Sequence, residues 1–295
     1  MINEISIILP ALDEDYSLPL VVNELIEEFE TLDLNYEIII VDDGSVNSVK
    51  NYLQESEKLK IFSNQYSRGQ SYSLFKGFEE AQYKYLATLD SDGQNPPDEL
   101  IKLIDCFNEN FDACDIVSGY REKRKDGIIR LLYSKFANFI IRILTKSSCK
   151  DLGCALKVFK KEMLNDINYT GDIHRILTPL FEYRGYKLLQ VSVNHNPRVY
   201  GNTKYGFSRI NAVIIDALLI YLTKGFTLTP RYTLGRLSLY FGMISVFLFL
   251  LSLYQKFYLD IFVHRNPLFL IGITTLFIFF QLLFTAIISF FIENK

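Results

Sequence analysis

Along the first 120 residues, short apolar runs ending in turn residues alternate with stretches whose apolar positions recur at helical spacing. Glu4–Pro10 (EISIILP) is one such run, closed by a proline, and Tyr36–Val41 (YEIIIV) is a second, stopped by Asp42-Asp43-Gly44-Ser45. Leu59–Phe62, Tyr85–Leu89 (YLATL) and Asp115–Gly119 (DIVSG) predict three more strands. Between them, Leu18, Val21, Val22, Leu25, Ile26 and Phe29 mark one face of a helix, and Gly69–Ala81 and Pro97–Phe107 predict two others. Strands alternating with helices at this pace predict an α/β fold, a mostly parallel sheet with helices on both faces. In such sheets ligands bind beyond the carboxyl ends of the strands, so chemistry is expected in the residues that follow each run.

The pattern changes near residue 236. Leu237–Gln255 holds no charged residue over 19 positions, and Asn266–Ile292 holds none over 27. A helix rising about 1.5 Å per residue needs roughly 20 residues to cross the hydrocarbon of a bilayer. Two transmembrane helices are therefore expected, about 237–255 and 267–292, joined as a hairpin by the ten residues Lys256–Arg265. Tyr254, Phe257 and Tyr258 sit where an interfacial belt would lie. Lys224, Arg231, Arg236 and Lys295 favour a cytosolic side for both hairpin ends, although the loop carries Lys256 and Arg265 too. The opening MINEISIILP has neither the basic segment nor the long apolar core of a secretory signal, so the large N-terminal part is expected to stay in the cytosol. The expected organisation is a cytosolic domain over 1–209, a juxtamembrane amphipathic segment over 210–235 and the hairpin over 236–295. Ile128–Leu144 and Ile210–Leu222 fit either helices lying in the headgroup plane or helices packed on the sheet.

Charge divides the chain further. Its net charge of −3 hides 7 Lys/Arg against 24 Asp/Glu over residues 1–116 and 18 against 7 over residues 117–210. An acidic front therefore meets a basic middle. The four cysteines (Cys106, Cys114, Cys149, Cys154) form no CxxC pair, which points to packing and away from zinc or a disulfide framework.

The carboxylates gather at predicted strand ends. Asp42 and Asp43 follow one strand, Asp90-Ser91-Asp92 follow another, and both sets fall on one rim of the sheet. Asp-x-Asp at a strand end can place hard oxygen ligands on a divalent cation that bridges phosphates, and Gln94 could add a neutral oxygen. Turns also use aspartate freely, so either pair alone fits an ordinary turn. The chain has no GxGxxG, GxxxxGK[ST] or HExxH, and its three histidines are scattered, which disfavours a dinucleotide fold, a P-loop and a histidine-based metal centre. A basic segment beside membrane spans, with an acidic lobe before it, also excludes nucleic acid as the partner.

On these residues the chain resembles the family-2 glycosyltransferases of the GT-A fold, in the branch that makes polyprenyl-phosphate sugars (dolichol-phosphate mannose synthases and bactoprenol glucosyltransferases). ILPALDED resembles the family's opening P-x-(Tyr/Phe)-Asn-Glu, EIIIVDDGS its nucleotide-binding strand, and Asn64–Gly77 its Asn/Gly-rich helix start. LDSDGQNPPDEL is close to D-x-D-x-Q-x-P-P-E, and RVYGNTKYGFSR resembles R-x-x-G-x-(Ser/Thr)-Lys-Tyr. Two motifs depart from the pattern: Leu12-Asp13-Glu14 stands for Tyr-Asn-Glu, and the Asn-x-Gly is loosened to Asn64-Gln65-Tyr66-Ser67-Arg68-Gly69.

The resemblance implies inverting transfer from a nucleotide sugar, a UDP-sugar or GDP-mannose, to a polyprenyl phosphate at the plasma (inner) membrane. Pro10, Glu14, Asp42, Asp43, Gly69 and Asp90 would bind the nucleotide, with Asp43 the more direct contact. Asp90, Asp92 and Gln94 would hold Mg²⁺ or Mn²⁺ against the diphosphate. Arg121, Arg130, Ser134, Arg198 and Lys204 would hold the acceptor phosphate, and Asp151 matches a position proposed as the base. A phosphate monoester with a second pKa near 6 is already mostly dianionic at neutral pH, so positive charge matters more than a strong base. Gly201 and Gly206 would let their segment fold over the site. A homo-oligomer is compatible with such an anchor, but the chain fixes no number. Two other functions share these features: a glycan-extending family-2 synthase, whose Trp-containing motif is missing from a chain with no Trp, and an inactive nucleotide-sugar-binding subunit.

Overall fold

The five apolar runs become five strands of one sheet: β1 (Glu4–Ala11), β2 (Asn35–Asp42), β3 (Leu59–Ser63), β4 (Tyr85–Thr88) and β5 (Ile116–Arg121). The predicted helices are α1 (Ser17–Glu30), α2 (Gln70–Glu80) and α3 (Pro97–Glu109). This computed structural model describes residues 1–121, 147–165, 167, 173–197 and 230–293. Arg130, Ser134, Arg198, Gly201, Lys204, Gly206 and the segments 128–144 and 210–222 lie outside the described residues.

Among the described residues, β6 (Lys157–Lys160), the short helix α4 (Leu177–Tyr183) and β7 (Leu188–Val193) follow in the first unit. The sheet runs β3-β2-β1-β4-β6-β5-β7. β6 is antiparallel to both β4 and β5, and every other pairing is parallel. The sheet is thus mostly parallel, as expected, and β5 and β7 point the same way as β4. The carboxyl ends of β1, β2, β4, β5 and β7 therefore share one rim. The chain leaves β1 for β2 on one side and returns to β4 on the other, which opens a crevice of the kind that holds ligands in open α/β sheets.

Both faces of the sheet are covered. Ile5, Ile7 and Leu9 of β1 pack with Ile38 and Ile40 of β2 against Leu18, Leu25 and Phe29 of α1 and Leu100, Leu103 and Phe107 of α3. On the other face, α2 presses so close that a Cβ on Gly77 would stand 2.5 Å from Ile8 Cγ2. There Phe78, Phe159 and Phe181 form a run of ring contacts at 5.6 and 5.2 Å, joining α2 to β6 and α4. The buried Glu37 is matched by the Ser6 hydroxyl, Lys60 Nζ at 2.7 Å and the Gln82 N–H, so a charge inside β2 is satisfied.

The chain divides into two compact units, Met1–Leu219 and Ile220–Lys295. The second is a helical hairpin of α5 (Pro230–Leu259) and α6 (Pro267–Glu293). The helices run further than the uncharged segments, so Lys256 lies on α5 and not in the loop. Their spans Leu234–Leu259 and Pro267–Ser289 are long and apolar enough to cross a membrane. The hairpin is inside out. Ser238, Ser245 and Ser252, seven residues apart, are buried together with Asn266, while Leu239, Phe247, Leu250 and Phe277 are about 60% exposed. Small residues at this spacing let two helices approach closely in lipid. Ser245 Oγ donates to Gly272 O at 2.9 Å across the pair, and Asn266 Nδ2 reaches Ser252 Oγ and Gln255 Oε1. The four cysteines are free thiols, three of them buried, as expected of packing residues.

Candidate active site

The first carboxylate pair ends β2. Asp42 and Asp43 are 2% and 3% exposed. Asp42 accepts from Ser45 N, Ser48 Oγ and Val49 N, which builds the turn that follows it. Asp43 accepts five hydrogen bonds from the β3–α2 connection and the first turn of α2: Asn64 Nδ2, Arg68 N and Ser73 Oγ on Oδ1, and Ser67 Oγ and Gly69 N on Oδ2. Burial alone would raise this carboxyl, but the donors outweigh it and hold it below the ordinary aspartate value. Gly44 makes the clamp fit: its φ is +79°, and a Cβ there would stand 2.7 Å from the Tyr66 carbonyl carbon. Asp43, expected as the more direct nucleotide contact, thus spends its lone pairs on its own chain.

Around this pair, Glu14 accepts from Ser17 Oγ at 2.7 Å, and the Pro10 carbonyl accepts from Ser91 Oγ at 2.8 Å. The second of these ties the end of β1 to the turn after β4. Asp13, with φ at 49°, exchanges hydrogen bonds with the 45–46 turn.

The second carboxylate pair follows β4 and is treated differently. Among the described residues the Asp90 side chain receives one hydrogen bond, from Gln70 Nε2 at 2.9 Å, on Oδ1. Burial, and then the charge of Asp92, raise its pKa to about 6 against the pull of Lys157 and Arg121. Asp92 Oδ1 accepts from Gln94 N, which closes the Asp-Gly-Gln turn. Gln94 also pairs with the segment after β7, its carbonyl accepting from Asn196 N at 2.8 Å. No group of three or more His, Cys, Asp or Glu gathers among the described residues, so no all-protein metal cage exists there. Two neighbouring carboxylates, whose mutual repulsion helps raise Asp90, suit a hard cation. Mg²⁺ is commonly held by one or two carboxylates plus substrate phosphates.

On the β5 side of the rim, Arg121 is the last residue of its strand and forms a bidentate pair with Asp151, Nε–Oδ2 at 2.7 Å and Nη2–Oδ1 at 3.0 Å. Their side chains are 14% and 6% exposed. Burial works against the guanidinium charge and Asp151 more than restores it. Asp151 also accepts from Arg121 N and Gly153 N, so the expected base is engaged as a counter-ion. Arg121 Nη1 faces His195 Nε2 at 3.4 Å, one residue from the Asn196 that grips Gln94. The 194–196 segment thus links Gln94 to Arg121 and, through it, to Asp151, and Asp90 feels the charges of both Asp92 and Arg121.

Three residues here escaped the sequence reading. Gln70 opens α2, and His195 bridges the two halves of the rim. Lys157, 6% exposed, donates to the Cys154 carbonyl at 2.5 Å from the middle of the sheet. A four-residue strand that begins and ends with lysine gives no periodic signal, and His195 stands in no recognisable motif.

The glycosyl transferase family 2 model matches residues 6–167, more than half of the chain. The dodecaprenyl-phosphate galacturonate synthase of Rhizobium johnstonii is 27% identical over 294 residues, covering 97% of this chain and 86% of that protein. The undecaprenyl-phosphate 4-deoxy-4-formamido-L-arabinose transferase of Proteus mirabilis is 29% identical over 229 residues, 75% of this chain and 69% of its own. Among solved structures, glucosyl-3-phosphoglycerate synthase from Mycobacterium tuberculosis, crystallised with Mn²⁺, UDP and glucosyl-3-phosphoglycerate, has a TM-score of 0.57 at 14% identity, over 75% of this chain and 80% of that one. Another crystal of that protein holds Mg²⁺ and UDP, with a TM-score of 0.55 at 15% identity, over 75% and 79% of the two chains. At such identity the likeness shows a shared GT-A fold. By sequence and by fold, this chain belongs to glycosyltransferase family 2.

Proposed function

We propose that the protein is a membrane-anchored inverting glycosyltransferase that moves a sugar from a nucleoside diphosphate sugar to a polyprenyl phosphate. The observation that carries the reading is the rim itself: the neighbouring carboxylates Asp90 and Asp92 on one strand end, with the half-buried Arg121 acting on Asp90 from another. The names of the relatives supply the acceptor class, since both act on polyprenyl phosphates. The two apolar helices suit an enzyme whose acceptor is confined to a bilayer. The proposed organisation keeps the catalytic domain at 1–209, the juxtamembrane segment at 210–235 and the anchor at 236–295, with the catalytic domain on the cytosolic side of the inner membrane.

In this reading Asp90, Asp92 and Gln94 hold Mg²⁺ or Mn²⁺, which when bound stabilises charge on the departing diphosphate. Pro10, Glu14, Asp42 and Asp43 shape the nucleotide wall, with Asp43 acting through the loop it clamps. Arg121 holds an acceptor or donor phosphate oxygen. Asp151 fixes the guanidinium plane for that contact. Arg130, Ser134, Arg198 and Lys204 are assigned to the acceptor phosphate by their motif positions. The phosphate nucleophile is already deprotonated near neutral pH, so no side chain need take its proton.

The test is a panel of nucleotide sugars offered with undecaprenyl phosphate and Mg²⁺ to the purified full-length protein, with mass detection of the lipid product. A new lipid-phosphate sugar with release of nucleoside diphosphate is expected, a UDP-sugar being the favoured donor. Sugar appearing only on a growing glycan would favour a glycan-extending synthase, and donor binding without turnover would favour a binding subunit.

A further inference from the structure

Two carboxylate sites on one rim are joined by a single turn of helix. The carboxylate of Asp43 accepts from Arg68 N and Gly69 N, the two residues before α2, and from Ser73 Oγ, one turn inside it. The first residue of that helix, Gln70, sends its amide to Asp90 Oδ1 at 2.9 Å. The next, Ser71, is 2% exposed and pairs with His174 Nδ1 at 2.7 Å, which holds the same turn from its other side. The start of α2 is thus fixed at three consecutive residues, and the side chain between the two anchors is the one aimed at Asp90.

We propose that Gln70 is a positioning residue that fixes the Asp90 carboxylate for a divalent ion, and that Asp43 sets Gln70 by pinning the start of its helix. The bond to Oδ1 orients the carboxylate and leaves Oδ2 without a protein donor among the described residues. Groups that orient metal ligands in this way commonly change metal affinity about 10- to 100-fold when removed. The inference rests on the proposed metal site and assigns Asp43 a task in it, although Asp43 belongs to the other strand and touches neither Asp90 nor Asp92 in any hydrogen bond described here.

The experiment is Mn²⁺ binding to the full-length protein in detergent, without nucleotide, read by electron paramagnetic resonance of the free ion. Gln70→Leu is expected to weaken Mn²⁺ binding about 10-fold or more. Asp43→Asn is expected to weaken it in the same direction. The double variant should bind no worse than Gln70→Leu alone, because two residues acting in one chain of contacts are not additive. Circular dichroism at the same temperature checks that each variant is folded. Unchanged Mn²⁺ affinity in Gln70→Leu, or strictly additive losses, would overturn the inference while Asp92→Asn still abolished binding. If Asp92→Asn binds Mn²⁺ as the wild type does, the metal reading itself fails, and the inference with it.

Discussion

Asp43 and Asp90 sit on the same rim, each just past a strand that pairs with β1, and their surroundings are opposite. Asp43 takes five hydrogen bonds from its own chain and is held below the ordinary aspartate range. Asp90 takes one among the described residues, beside a second carboxylate, and is raised to about 6. Burial penalises both charges; hydrogen-bond donors then lower Asp43, whereas the charge of Asp92 raises Asp90 further. The β3–α2 loop turns two side chains and two backbone N–H groups onto Asp43, and Ser73 of α2 adds a third side chain. The turn after β4 instead sets Asp92 beside Asp90, and only one donor among the described residues reaches the Asp90 side chain. A carboxylate held by five donors of its own chain serves the scaffold, whereas one set against a second carboxylate suits a cation.

That contrast can be broken most sharply by removing one charge from each side. Asp92→Asn is expected to lower sugar transfer by roughly 10²–10³, the scale of losing one electrostatic contact to a developing charge, with little change in unfolding temperature. Asp43→Asn should instead cost stability, about 2 kcal/mol, since bonds to a charged acceptor are the stronger kind. Denaturant unfolding and turnover measured on both variants would separate the two. Equal stability losses in the pair would erase the distinction.

A smaller effect follows from acid. A carboxylate with a depressed pKa contributes its full stability above the unfolded value, near 3.9, and loses it as pH falls through the lower folded value. Asp43 and Asp115 share this sign. Unfolding free energy should therefore drop as pH falls below about 4, and Asp43→Asn should flatten that slope. An unchanged slope in the variant would show that the clamp carries no charge-dependent stability.

Much of the scaffold was legible in the sequence because its strands are buried on both faces and so appear as unbroken apolar runs. β6 was not. Two of its four residues are lysines, and Lys157 lies inside only because a backbone carbonyl receives it. Its antiparallel direction depends on pairing with β4 and β5, which no local pattern encodes. β7 lies at the sheet edge and is mostly half-buried, and α4 has seven residues, too few for a periodic face. The carboxylate rim was legible because Asp42, Asp43, Asp90 and Asp92 directly follow strands. Their division of labour was not, since the donors to Asp43 come from 21 to 30 residues away. The hairpin was visible as two uncharged runs, but the buried serine stripe that packs it is a pattern of small polar residues within an apolar one.

The central claim is that Asp90 and Asp92 are kept for a divalent ion that holds the diphosphate of the donor. Calorimetric titration of UDP and GDP into the full-length protein, with and without Mg²⁺, tests it most directly, with Asp92→Asn as the comparison. The account predicts that one nucleotide binds to the wild type only when the ion is present, and that this binding disappears in the variant. Equal affinity without the ion, or undiminished binding by Asp92→Asn, would contradict it.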